Sequence, residues 1–298
     1  MPENYIGEFA GLGAALAWAI ASILFRRLGS TVPPLLLNLY KGTIAIAMLL
    51  ILLTLSGELL APIHLRAWGL LLLSGAIGIG VGDTAFLACL NRLGERRTLL
   101  MAETLTPPMT AIIALVFLAE FLSFAAVTGI ALTVAGVAWV IVERRSGSPH
   151  DTAHQKSGIL LGLLAALCQS IGAVISRDVL TETEVGPVWS SLIRIIGGIA
   201  ILLLWLPAVR QAYFPASVRS ARLWGVIVLT TFVGTFLGIM LQQLALKRTE
   251  AGIAQTLLAT SSLFILPLVV WRGESVSLRA ILGAALAVVG IAILFAVK

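Results

Sequence analysis

The stretch Leu118–Val140, LAEFLSFAAVTGIALTVAGVAWV, recurs 154 residues later at Arg272–Leu294 as RGESVSLRAILGAALAVVGIAIL. In that register Glu120 falls on Glu274, Ser123 on Ser277, Gly129 on Gly283 and Gly136 on Gly290. In each copy the acid sits in a short polar break between two apolar runs. The two glycines stand seven residues apart and so share one face of the helix that follows. Such a stripe lets two helix backbones approach closely in lipid. Four matches in one register, each closing one half of the chain, point to an internal duplication.

Composition sets the class around that repeat. Of 298 residues, 59% are hydrophobic and 11% charged, and the mean hydropathy is +1.04. A water-soluble globule of this length needs a polar surface that this chain cannot supply. The sequence therefore predicts an all-α integral membrane protein. With about 20 apolar residues needed per crossing, ten spans follow: 8–26, 33–55, 67–90, 98–119, 123–142, 157–176, 187–207, 221–246, 250–271 and 277–296. MPENYIGE, at the start, carries two glutamates and no basic residue, so the first apolar run is expected to stay as a helix. Cys89 and Cys168 fall inside spans and are expected as packing residues. The net charge of +6 comes from bases placed singly or in small groups at loop ends, the pattern of membrane helices rather than of a nucleic-acid surface.

The one composition break is ERRSGSPHDTAHQKSG, Glu143 to Gly158. It divides the chain into a first five-helix repeat over 1–142, a polar linker over 143–156 and a second repeat over 157–298. His150 and His154 in this linker are expected to be solvated. The halves align further. Ala15–Arg26 lies on Ala166–Arg177, placing Trp18 on Gln169 and Arg26 on Arg177 at the helix end. Asn38–Lys41 lies on Ser191–Arg194, and Gly78 and Gly82 lie on Gly234 and Gly238, each pair a GxxxG expected at close helix contacts. An odd number of helices per half forces the halves into opposite orientations, the inverted-repeat plan of secondary transporters. Loops after odd-numbered helices hold 13 Lys and Arg, against 5 in the even loops and tails. That bias places the odd loops in the cytoplasm and both termini outside.

Taken together, the AxAW-like first helix at Ala15–Trp18, the base in each second helix at Lys41 and Arg194, AFLACLNRLG at Ala85–Gly94, Thr106–Pro108, and the acidic turns at Glu120 and Glu274 form an ordered set, present over nearly the whole chain. The set resembles the drug/metabolite transporter superfamily in its ten-helix EamA-type branch. That resemblance implies export or exchange of small metabolites such as amino acids, nucleoside or sugar derivatives, or toxic cations. The second half departs from the pattern where Gln169 stands for Trp18 and where Ser261 and Ser262 replace Pro107 and Pro108.

Transport chemistry must rest on the few polar groups at membrane depth, because a charge there is costly unless it meets water or a partner. The expected substrate-binding set is Trp18, Asn38, Lys41, Gln169, Arg194, Gln242 and Gln243, with Gln255 and Thr260 as weaker candidates. Lys41 and Arg194 could equally snorkel toward headgroups. Glu103, ahead of Asp83, is the expected proton-coupling group, and the bland alternative is a structural pair with Lys41. Pro107 and Pro108 remove two amide donors and are expected to break the fourth helix, while the serines opposite them bend theirs more gently. The sequence has no GxxxxGK[ST] phosphate loop for an ATP-driven pump. Its three histidines, His64, His150 and His154, all fall in expected loops, which leaves no acid–base set for a membrane hydrolase. The expected function is secondary transport by alternating access, with a lipid-linked carrier or flippase on the same fold as the alternative. The expected partners are a small-molecule substrate and the lipid bilayer, the chain acting as a monomer or homodimer in a cell membrane, the inner one in a bacterium. Neither a cofactor nor a metal is expected.

Overall fold

The computed structural model describes residues 5–28, 32–60, 62–93, 95–143, 152–208, 220–264 and 278–296. Among them ten helices follow in order. They are α1 (Ile6–Leu28), α2 (Pro34–Leu55), α3 (Leu65–Gly75, Ala76–Gly82 and Asp83–Leu93 in unbroken succession), α4 (Glu95–Leu118) and α5 (Phe124–Glu143). The second half has α6 (Thr152–Glu182), α7 (Pro187–Ala208), α8 (Ala221–Thr230, Thr231–Leu237 and Gly238–Arg248, again unbroken), α9 (Ala251–Leu258) and α10 (Leu278–Ala296). Eight of these are long and apolar enough to cross a bilayer by themselves, and Ile6–Ala21 within α1 and Ala251–Phe264 are further apolar helical stretches. Large apolar side chains such as Phe117, Phe121, Phe124 and Leu204 lie exposed, as a surface solvated by lipid tails requires.

The duplicated glycines meet their own copies. A Cβ added to Gly136 would stand 2.5 Å from the Gly283 oxygen, and one on Gly129 would stand 3.0 Å from that of Gly290. Early positions of α5 thus face late positions of α10, so the two helices run antiparallel. The same sense holds between the other partners. Gly7 of α1 faces Arg248 of α8 while Gly13 faces Leu241, and Gly158 of α6 faces Leu93 of α3 while Gly172 faces Ser74. Each half therefore packs its first helix on the third helix of the other half. The second helices meet through Ala45, Leu49, Leu53, Leu192 and Ile195, so most of the core lies between the halves.

Several expectations change. Helix α6 has 31 residues and so rises about 46 Å. It begins inside the expected linker, placing His154 in a helix rather than a loop, and carries Arg177 inside rather than at its end. Residues 144–151, with His150, lie outside the described residues, as do Glu274 and Ser277. Helix α4 runs through Pro107 and Pro108 without a break. Its flank packs on α6, where the Ser170 hydroxyl donates to the Thr106 carbonyl at 3.2 Å. The interruption is in the second half instead: α9 stops at Leu258, and a turn at Ala259–Thr260 closes with the Thr260 hydroxyl on the Leu257 carbonyl at 2.6 Å.

Candidate functional site

The middle of α3 and the middle of α8 each contain a seven-residue π-helical stretch, Ala76–Gly82 (AIGIGVG) and Thr231–Leu237 (TFVGTFL). A π turn shifts the backbone ladder from i+4 to i+5 and is frequent at functional sites. In α3 the Gly78 carbonyl accepts the Asp83 amide, five residues on. In α8 the Gly238 amide bonds to Val233 and Thr235 and passes over Gly234. All four glycines of the two GxxxG pairs are buried. A Cβ on Gly82 would stand 3.1 Å from that of Cys168, and one on Gly238 would overlap the indole of Trp18.

The side chains expected at the site gather on these stretches. On α3, Gln169 donates from Nε2 to the Gly78 carbonyl at 3.2 Å and to Asp83 Oδ1 at 2.8 Å. Because both partners are acceptors, the NH₂ end of the amide must face them. Asn38 Nδ2 donates to the neighbouring Ile79 carbonyl at 3.3 Å. Lys41 Nζ reaches Asp83 Oδ2 at 3.0 Å, a pair whose side chains are 19% and 24% exposed. Arg194, 2% exposed, packs its Nη2 against Gly78 and Gly172, and its Nε and Nη1 have no hydrogen-bond partner. One carboxylate thus takes a cation from α2 and an amide from α6, and the Arg194 guanidinium of α7 lies beside the same α3 bulge.

On α8 the company is different. Trp18 Nε1 donates to the Gly234 carbonyl at 2.9 Å, and the place equivalent to Asp83 is Ile239. Gln242 and Gln243 follow, both buried, with the Ser190 hydroxyl on Gln243 Oε1 at 2.8 Å. Gln255 and Thr260 are buried on the α9 side. Glu103 sits away from the α3 stretch on α4, where the Ser261 hydroxyl donates to its Oε1 at 2.5 Å. A first-half acid is therefore held by the second-half serine that stands in the place of Pro107.

One polar centre went unforeseen. After Ala119, at φ 51°, the Glu120 carboxylate takes Arg177 Nε on Oε1 at 2.6 Å and the Ala251 amide on Oε2 at 2.9 Å. Arg177 Nη1 donates in turn to the Leu246 carbonyl at 2.7 Å. The pair caps the end of α8 and the start of α9, where a carboxylate favours the helix N-terminus. The signals in the sequence were an arginine at the end of an apolar run, Arg177, and, far from it in the chain, the duplicated acid Glu120.

The model of the EamA-like transporter family matches twice, over residues 5–142 and 156–296. A solved crystal structure superposes with a TM-score of 0.81 at 20% sequence identity, covering 98% of this chain and 96% of that one, a likeness of fold. Among curated proteins none matches the sequence.

Proposed function

The chain belongs to the EamA-like transporter family, and from that premise we propose that it is a secondary transporter that exports or exchanges a small metabolite, an amino acid or related compound or a drug-like cation, by alternating access. The observation that carries the proposal is the cluster of Lys41, Asp83, Gln169 and Arg194, four polar side chains from both halves meeting halfway along membrane helices. Buried charge is retained at such depth chiefly where ions or substrates pass. Lys41 already has Asp83, so Arg194, with two unpartnered nitrogens, is the better candidate to meet an anionic group of the substrate. Asp83 and Glu103 are the two acids whose protonation could couple transport to a proton gradient.

The test is transport in proteoliposomes with an imposed pH gradient, using labelled amino acids, nucleosides, organic cations and polyprenyl lipids. Glu103→Gln is expected to keep exchange of labelled for unlabelled substrate and to lose uphill accumulation. Wild-type transport that ignores the gradient would remove the coupling role from both acids, and uncoupling by Asp83→Asn alone would assign it to Asp83. The polyprenyl arm addresses the second reading, a lipid-linked carrier. An apolar cavity of about 260 Å³ lined by Leu39, Tyr40, Thr43, Ile44, Ile199, Leu203 and Trp224 lies among α2, α7 and α8, and Leu203 on its rim is 46% exposed. A cavity on a lipid-facing flank favours a substrate with a hydrocarbon tail.

The basic-residue bias supports an orientation with both termini outside and the linker in the cytoplasm. Single cysteines at Ser148 and Lys298, in a background lacking Cys89 and Cys168, are expected to label from opposite sides with an impermeant reagent. Labelling of Ser148→Cys from outside would reverse the orientation.

A further inference from the structure

Trp18 and Gln169, chemically unlike residues at matching places in the two halves, make the same kind of bond. They occupy matching places in α1 and α6, and each donates an N–H across the boundary between the halves to a glycine carbonyl within a π-helical stretch, Gly234 and Gly78. An indole and a carboxamide have little in common except that N–H donor. The two acceptors lie at matching places in α8 and α3. One has been passed over by the Gly238 amide, and the other is engaged by an i+5 bond. Such widened turns are where a helix bends with least loss, because the i+4 ladder is already interrupted there.

We propose that the two π-helical stretches are the bending points of the transport cycle and that Trp18 and Gln169 are the positioning residues that latch them, each holding a carbonyl that the widened turns offer to the opposite half. The proposal rests on the transporter assignment above for its purpose, but its physical content is local. The latches differ in control. The Gln169 amide is shared between Gly78 and Asp83, and Asp83 also holds Lys41. A ligand group that draws Lys41 or Asp83 away therefore loosens the α3 latch. Trp18 has no such link among the bonds described for its indole. The α3 bend is thus governed by the charge cluster, and the α8 bend is not.

Hydrogen exchange of the full chain in lipid nanodiscs tests this without a known substrate. Trp18→Leu is expected to speed exchange of the peptide spanning 231–238 by about fivefold, the loss of one ordinary hydrogen bond, and to leave 76–83 unchanged. Gln169→Leu is expected to do the converse. Trp18→Gln supplies the donor that the other half uses and is expected to keep 231–238 close to wild-type protection. Asp83→Asn is expected to speed exchange over 76–83 alone. Equal exchange in Trp18→Gln and Trp18→Leu would overturn the latch, as would unchanged exchange or an equal rise in both stretches. If Trp18→Leu does not fold, the Gln169→Leu and Trp18→Gln variants still decide between these outcomes. Should the latches hold while no panel compound is transported, the transporter reading fails and the local geometry stands.

Discussion

The third helix of each half carries the same seven-residue bulge in different company. Around α3 are Asn38, Lys41, Gln169, Asp83 and Arg194; around α8 are Trp18, Ile239 and the glutamines that follow. Backbone geometry survived duplication while the chemistry beside it diverged. The π-helical bulge is kept twice, whereas the ionic cluster, with Lys41 and Asp83 from the first half and Gln169 and Arg194 from the second, gathers on α3 alone.

The sharpest way to break this contrast is to remove the two matched cations. Arg194→Gln is expected to lower the transport rate by about 100-fold and Lys41→Gln by about tenfold, since hydrogen bonds to charged groups are worth roughly 1.5–3 kcal/mol and Lys41 is already neutralised by Asp83. Initial rates in proteoliposomes measure both, and equal losses would show that the halves contribute alike.

Packing gives the next contrast. A methyl at Gly238 overlaps the Trp18 indole, whereas at Gly82 it meets Cys168 at 3.1 Å. Gly238→Ala is expected to destabilise by about 1–3 kcal/mol as overpacking does, and Gly82→Ala by less than about 1 kcal/mol. Denaturant unfolding in micelles compares them, and a larger loss at Gly82 would invert the assignment. Gly82 and Gly238 were legible as candidates for close approach, but which of them tolerates alanine depends on a neighbour from the other half.

The smallest contrast lies at matching places one turn into α2 and α7. Asn38 bonds the α3 bulge, whereas the Ser191 hydroxyl returns to Pro187 of its own helix at 2.7 Å. Asn38→Leu is expected to cost about 1 kcal/mol and Ser191→Ala less than about 0.5 kcal/mol. Indistinguishable unfolding would mean that the Ile79 carbonyl has no need of its donor.

Hydropathy and the glycine register carried the ten helices and the duplication, because burial in lipid is a property of whole segments. Helix ends were less visible. Arg177, Asp178 and Glu182 read as loop because they are charged, yet charged residues extend a helix readily once it leaves the membrane, as in α6. The bulges were invisible, since one additional residue in a turn alters the ladder without altering composition. The prolines misled in the opposite direction. Pro107 and Pro108 remove donors, but packing on α6 keeps α4 continuous, and the break fell at Ala259–Thr260, where a hydroxyl could close the turn. Most of the residues singled out in α1, α2, α6 and α7 lie around the bulges, because a polar side chain inside an apolar run must find a partner somewhere. Which partner it finds is decided by a helix from the other half of the chain.

The α5–α10 seam, where Gly129 meets Gly290 and Gly136 meets Gly283, has a consequence for how such a chain arises. Each stripe is complementary to an inverted copy of itself, so a single five-helix unit inserted in both orientations already possesses a self-matching interface. Fusion of two such units into one gene fixes their stoichiometry and frees each stripe to drift only in step with its mate. A methyl gained on one side of the seam calls for room on the other, so along this seam substitutions must come in pairs.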